Sequence, residues 1–186
     1  KMSNNPKIPF SFKKLTSRNY SVLKDELLEL YLQAFTTGEY AQYVSRKDAS
    51  WKLDEIQSNG SGVAAMLHGK PAGALMGIPF TLDTDFPAEN HPHIPMEKTV
   101  YIAELMVHED VRGHGLASAL IHEFLENDKE KGITDAVIRV WIENIPAVKL
   151  YEKLGFRRIE KITQTKFKSE TETFEMKKIY LHKKLK

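Results

Sequence analysis

The chain has 186 residues, 41% hydrophobic and 28% charged, with a formal net charge of +2 and no cysteine. Those figures describe one ordinary globular domain with a sizeable core, and they exclude disulfides, thiolate metal sites and a thiol nucleophile. No apolar run approaches membrane-spanning length and no basic cluster with interleaved aromatics precedes the tail, so neither membrane nor nucleic acid is expected as a partner. The start lacks the apolar centre of a signal peptide, which makes the cytoplasm the default location. Lys1 ahead of Met2 reads as an addition to the natural start.

Ile8 to Leu15 alternates apolar and polar residues around Phe10 and Phe12 and reads as an edge strand. Leu23, Leu27, Leu28, Tyr31, Leu32 and Phe35 recur with helical period from Tyr20 to Phe35, and Thr36-Thr37-Gly38 closes that helix. A second, less regular helix is predicted from Glu39 to about Ile56, carrying Tyr40, Tyr43, Val44 and Trp51. Ser61 to Leu67 and Ala72 to Phe80 form a hairpin around His68-Gly69-Lys70-Pro71. Residues 81–97 then bring Asp83, Asp85, Glu89, Glu97, His91, His93 and three prolines, with no basic residue before Lys98. That composition predicts an irregular acidic insertion, and a loop of this length is either functional or disordered.

Val100 to Leu125 is the stretch around which the rest is organised. An apolar strand ends near His108, Glu109-Asp110 begins a turn, and Val111-Arg112-Gly113-His114-Gly115 leads into a helix marked by Leu116, Leu120, Ile121, Phe124 and Leu125. A helix N-terminus exposes unpaired backbone N–H groups and a partial positive charge, and glycines let a phosphate approach them. Arg112 and His114 add side-chain donors. Taken alone, the glycines fit a plain strand-to-helix connection equally well. No Gly-Lys-Ser/Thr follows, and no dinucleotide fingerprint surrounds the turn.

Asp135 to Ile142 is an apolar run interrupted by Arg139, as in a strand covered on both faces. Asn144 caps a helix with Pro146 in its first turn and Leu154-Gly155 at its end. Phe156 to Thr165 and Thr173 to Leu185 read as an antiparallel pair. The order β, α, α, β, β, β, α, β, α, β, β is that of a single mixed α/β domain spanning residues 1–186.

The Arg-x-x-Gly-x-Ala pattern at Arg112, Gly115 and Ala117, after the strand Tyr101 to Val107, resembles the acyl-CoA pyrophosphate motif of the GNAT superfamily of N-acyltransferases. Asn144-Ile145-Pro146-Ala147-Val148-Lys149-Leu150-Tyr151-Glu152-Lys153-Leu154-Gly155-Phe156 is similar to its second signature, and the element order matches along nearly the whole chain. The resemblance implies a mostly antiparallel sheet with a central splayed parallel strand pair and about four helices. It implies acetyl-CoA as co-substrate, no metal, and acetyl transfer to a primary amine of a small molecule or peptide by direct attack through a tetrahedral intermediate. Arg112, Gly113, His114, Gly115, Leu116, Ala117 and Ser118 would hold the pyrophosphate. The backbone of Leu105, Met106 and Val107 would hold the pantetheine arm and polarise the thioester carbonyl.

Glu104, two residues before the expected bulge, is the candidate base; the alternative is an acid exposed to solvent or paired with a lysine. Glu143 is the reserve. Tyr151 would face the cofactor sulfur as a catalytic hydrogen-bond donor, a role compatible with a ring packed in the core. Asn144 is read as a helix cap that could also orient the cofactor. Arg157 and Arg158 approach its nucleotide end or form a solvated face. Acceptor recognition falls to the first two helices and the loops, with Tyr43, Arg46 and Trp51 as candidates. The acidic loop either steers a cationic amine or is a mobile surface segment, and His91 and His93 alone are too few for a metal. A non-catalytic acyl-CoA-binding sensor or interaction module is the alternative function. A nucleic-acid role for the tail from Lys177 is weakest, because its charges alternate with core positions. A homodimer paired through the C-terminal strand stays open.

Overall fold

The computed structural model describes residues 7–186, and the reading of Lys1 lies outside them. One seven-stranded sheet runs through the molecule. Its strands are β1 (Ser11–Leu15), β2 (Ser61–Leu67), β3 (Lys70–Pro79), β4 (Thr99–Val107), β5 (Asp135–Trp141), β6 (Arg157–Phe167) and β7 (Thr173–Lys184), in the order β1-β2-β3-β4-β5-β7-β6. Every neighbouring pair is antiparallel except β4 and β5. The helices are α1 (Ser17–Thr36), α2 (Arg46–Asn59), α3 (Leu116–Lys129) and α4 (Ile145–Lys153). The architecture is the one expected from the sequence. β7 is bonded to β6 along most of its length and to β5 from Lys178 to Lys184.

Three of the four helices, α1, α2 and α4, begin where a side chain satisfies an orphan amide, and α3 begins at Gly115 without one. Thr16 and Asn19 form a reciprocal capping box at α1. Ser45 Oγ accepts from the Asp48 N–H and starts α2 seven residues later than its sequence pattern suggested. The freed stretch 37–45 crosses the sheet, where the Tyr43 N–H donates to the Phe167 carbonyl of β6 at 3.1 Å and Tyr40 meets Trp141 of β5 edge-on. Contacts distant in sequence overrode local helix propensity there.

The two faces of the sheet carry separate cores. On one, α3 and α4 cover Leu75, Val100, Ile102, Ile138 and Leu181. On the other, α1 and α2 cover Ala64, Ala74, Met76 and Met106. A Cβ on Gly77 would stand 2.6 Å from the Phe124 ring, so that glycine lets α3 lie close on the sheet.

The acidic segment forms a third core instead of a loose loop. Phe80, Phe86 and Ile94 are buried with Tyr101, Val137 and Tyr180, and short 3-10 turns at Phe80–Leu82, Ala88–Asn90 and Met96–Lys98 link them. Asp83, only 4% exposed, accepts a hydrogen bond from the Tyr180 hydroxyl, and Arg139 lies 3.7 Å from Asp83 and 3.4 Å from Asp85. The prolines block long helices, but three apolar side chains anchor the segment to the sheet. Among the described residues no helix is long and apolar enough to cross a membrane.

Candidate active site

The site begins where the sheet opens. β4 pairs with β5 only from Thr99–Ile102 against Asp135–Ile138, whereas it follows β3 as far as Val107. Beyond Ile102 the backbone of β4 that faces β5 has lost its strand partner. The register against β3 shifts at the same place: Gly77 opposes Ile102 and Met76 opposes Glu104, which leaves Ala103 as an extra residue. This bulge lies immediately before Glu104, not two residues after it as the sequence reading had it. Its consequence is an inversion of the pleat. Glu104 and Met106 turn to the α1–α2 face and Leu105 to the α3–α4 face.

A cleft of about 1060 Å³ passes through this opening. At one end lies the start of α3. Gly113 and Gly115 have φ of 80° and 74°, and a Cβ on either would meet nothing within 4 Å. The first backbone bond of the helix runs from the Ala119 N–H to the Gly115 carbonyl, so the amides of Gly115, Leu116, Ala117 and Ser118 have no acceptor among the described residues. A phosphate fits that cradle in charge and in space. Arg112, Gly113, Gly115, Leu116, Ala117 and Ser118 all line the cleft, whereas His114 is exposed outside it.

Leu105 and Val107 line the middle of the cleft, and the fully buried Met106 side chain packs into the α1–α2 core instead. Tyr151 stands there too, 8% exposed, and its hydroxyl bonds to no other described residue. Burial pushes its phenol up to about 12. Asn144 lines the wall while its Oδ1 accepts from the Ala147 N–H at 3.3 Å, which makes it the cap of α4. Glu143 is exposed and away from the cleft. Arg158 pairs with Glu152 at 3.1 Å on the surface.

The other end opens on the α1–α2 face and is built from charge. Glu104 is 6% exposed, and its Oε1 lies 2.9 Å from the ammonium of Lys52 on α2, which is 47% exposed. Among the described residues Lys52 is the one cation paired with Glu104. The charge of Glu104 holds the Lys52 ammonium well above its usual pKa. Burial, then the same carboxylate, push the Tyr31 phenol up to about 12. Arg139, Lys166 and Lys178 complete the wall. None of these four cations had been singled out for the site from the sequence. The signal available was alternation: Met176, Lys178 and Tyr180 share one face of β7, two of them buried.

The acceptor candidates chosen from the sequence fall elsewhere. Trp51 is 66% exposed, Arg46 pairs with Glu29, and the Tyr43 hydroxyl donates to Glu170. The residues of α2 that reach the cleft are Lys52, Glu55, Ile56 and Asn59. His91 stacks on Phe86 and bonds Glu160 at 2.9 Å, which gives it a structural task. No group of three or more His, Asp or Glu side chains fit to hold a metal occurs among the described residues.

An unpaired helix N-terminus, a splayed strand pair and a buried tyrosine in one cleft suit a long thioester with a diphosphate. The sequence profile of the acetyltransferase (GNAT) family matches residues 24–156. The chain belongs to that family. An uncharacterised N-acetyltransferase of Methanocaldococcus jannaschii is 29% identical over 153 residues, which are 80% of this chain and 63% of that protein. The chain thus spans less than two thirds of that relative. An N-acetyltransferase of Staphylococcus aureus has the same fold, with a TM-score of 0.67 at 17% identity, covering 96% of this chain and 99% of the other. A GNAT acetyltransferase of Elizabethkingia anophelis, solved with acetyl-CoA bound, aligns with a TM-score of 0.62 at 16% identity over 95% and 98% of the two chains.

Proposed function

We propose that this chain, as one transferase domain in the cytoplasm, moves an acetyl group from acetyl-CoA to a primary amine. The observation that carries the reading is the continuity of one cleft from the open amides of α3, past Tyr151, to Glu104. The amides of residues 113–118 anchor the pyrophosphate. The unpaired backbone of β4 beyond Ile102 receives the pantetheine arm, and an N–H near Leu105 to Val107 stabilises the oxyanion at the thioester carbon.

A lysine-like amine is almost fully protonated at neutral pH, and freeing it costs about 4–5 kcal/mol. Glu104, directly or through a water, takes the proton that the nitrogen must lose. As the new C–N bond forms and the C–S bond breaks, the electron pair goes to sulfur. With Tyr151 near 12 and a thiol near 8.5, complete proton donation to the thiolate would be uphill by about 5 kcal/mol. Tyr151 therefore stabilises the thiolate by a hydrogen bond, and the sulfur gains its proton from solvent.

The test is acetyl-CoA titration by calorimetry together with free-thiol release across a panel of amines. Binding with amine-dependent thiol release supports transfer. Binding with no release from any amine supports the alternative, a domain that only senses acyl-CoA.

A further inference from the structure

Two of the four cations at the acceptor end of the cleft stand apart from its carboxylates. Lys52, Arg139, Lys166 and Lys178 reach it from α2, β5, β6 and β7. Glu104 holds Lys52, and Asp83 with Asp85 hold Arg139. Among the described residues no carboxylate pairs with Lys166 or Lys178, although both are half-buried. Arg139 Nε, in the same wall, is buried without an acceptor.

Register explains why the two lysines work together. Lys178 opposes Ile162 and Phe174 opposes Lys166 across β6 and β7, so both side chains rise from the same face of the hairpin. Tyr40 against Trp141, and Tyr43 bonded to Phe167, bring the stretch 37–45 across to this side of the cleft. Burial, then the charge of Lys166, then Arg139 and Lys52, pull Lys178 down to about 7, while Glu104 opposes them. Unpaired ammonium groups held partly out of water are costly unless something anionic joins them. A purely cationic amine would add repulsion at this place.

We propose that the acyl acceptor carries, besides its amine, a carboxylate or phosphate group that seats between Lys166 and Lys178. The proposal deepens the transferase reading and rests on it only for calling this ligand the acceptor. It also reverses the role given to the acidic segment: Asp83 and Asp85 fix Arg139 in the wall instead of drawing a cation in.

Matched amines test it on the full chain loaded with CoA: phosphoethanolamine against ethanolamine, and β-alanine against β-alaninamide, by calorimetry and then by thiol release with acetyl-CoA. The acidic member of at least one pair should bind about tenfold more tightly or better, as charge-assisted hydrogen bonds imply. Preference within only one pair identifies phosphate or carboxylate as the group. Lys166→Met and Lys178→Met should abolish the preference, Lys178→Arg should keep most of it, and acetyl-CoA affinity should stay the same in all three. No difference within either pair, whether both members bind or neither does, would overturn the proposal. So would Met variants that weaken acidic and neutral amines alike. Lysine-dependent binding of the acidic amine without thiol release would uphold this site and sink the transferase reading instead.

Discussion

The two ends of the cleft are built on different principles. At the end proposed for the cofactor the groups on offer are backbone amides, from one continuous turn and the first residues of α3. At the acceptor end they are charged side chains delivered singly by α2, β4, β5, β6 and β7. Main-chain binding tolerates most side chains but not one that fills or charges the cradle, whereas side-chain binding can be retuned without disturbing the fold. The sharpest way to separate the two is Ala117→Glu. A carboxylate about 4 Å from a phosphate costs about 4 kcal/mol at an effective dielectric of 20, so the acetyl-CoA dissociation constant should rise about a thousandfold. The same acid in the first turn favours the α3 dipole, so the melting temperature should hold or rise. Unchanged cofactor affinity by calorimetry would break the assignment of this end. Ala117 is preferable to Gly115 for the test because Gly115 has a positive φ that any other residue would strain.

Between the two ends lie the residues assigned to chemistry, and they should affect turnover without affecting cofactor affinity. Glu104→Gln should lower kcat about a hundredfold, the range for a general base, with acetyl-CoA affinity unchanged. A loss of cofactor binding equal to the loss of kcat would mean that Glu104 serves only to seat Lys52. Tyr151→Phe should reduce kcat about tenfold to a hundredfold, the value of a hydrogen bond to a charged group. Equal losses in kcat and cofactor affinity would sink that role as well. The acceptor end adds a pH signature. Lys178, facing Lys52, Glu104, Arg139 and Lys166, titrates near 7 when free, and an anion beside it raises that value. Affinity for an acidic amine should therefore be constant below pH 7 and fall about tenfold per unit above it until the bound-state pKa is reached. A neutral amine should show no such limb.

The geometry of the proposed cofactor end, a glycine turn opening a helix, was legible in the sequence because its logic is local. Strand, glycine turn and helix are contiguous, and Gly113, Gly115 and Asn144 carry their conformational meaning in their identities. The opening of β4 from β5 followed from the family resemblance, but the bulge was misplaced, since register depends on the pairing with β3, which no property of Leu105 or Met106 reveals. The acceptor end was illegible for the same reason carried further. Lys52 meets Glu104 across 52 positions, and Lys178 reaches the cleft only because β7 inserts between β5 and β6. Tyr43 and Trp51 were chosen as aromatics on a helix, and a helix that begins at Arg46 turns Trp51 outward. The packing of the acidic segment was hidden because four carboxylates and three prolines dominate the composition of residues 81–97. Burial is decided by Phe80, Phe86 and Ile94, which find partners on the sheet.

The smallest expected effect probes how the acidic segment borders the acceptor end. Asp85 is 54% exposed, lies 3.4 Å from Arg139, accepts from Gln164 at 3.0 Å, and adds a negative charge that favours protonation of Lys166. If the segment steered cationic amines, Asp85→Asn would weaken their productive capture. With Asp83 and Asp85 both holding Arg139, the substitution instead removes one negative charge from the margin of a cationic seat. Arg139 keeps Asp83, which is buried and also held by Tyr180, so the wall should stay in place and stability should change by less than about 1 kcal/mol. At about 8 Å in a water-like dielectric, one unit charge is worth about 0.5 kcal/mol, so affinity for the acidic amine should improve about twofold and affinity for its neutral counterpart not at all. Calorimetry at low salt resolves that difference, and added salt should erase it. A gain for the neutral amine, or a loss for the acidic one, would place Asp85 in the acceptor's own contacts and dissolve the division between a charged seat and its supporting loop.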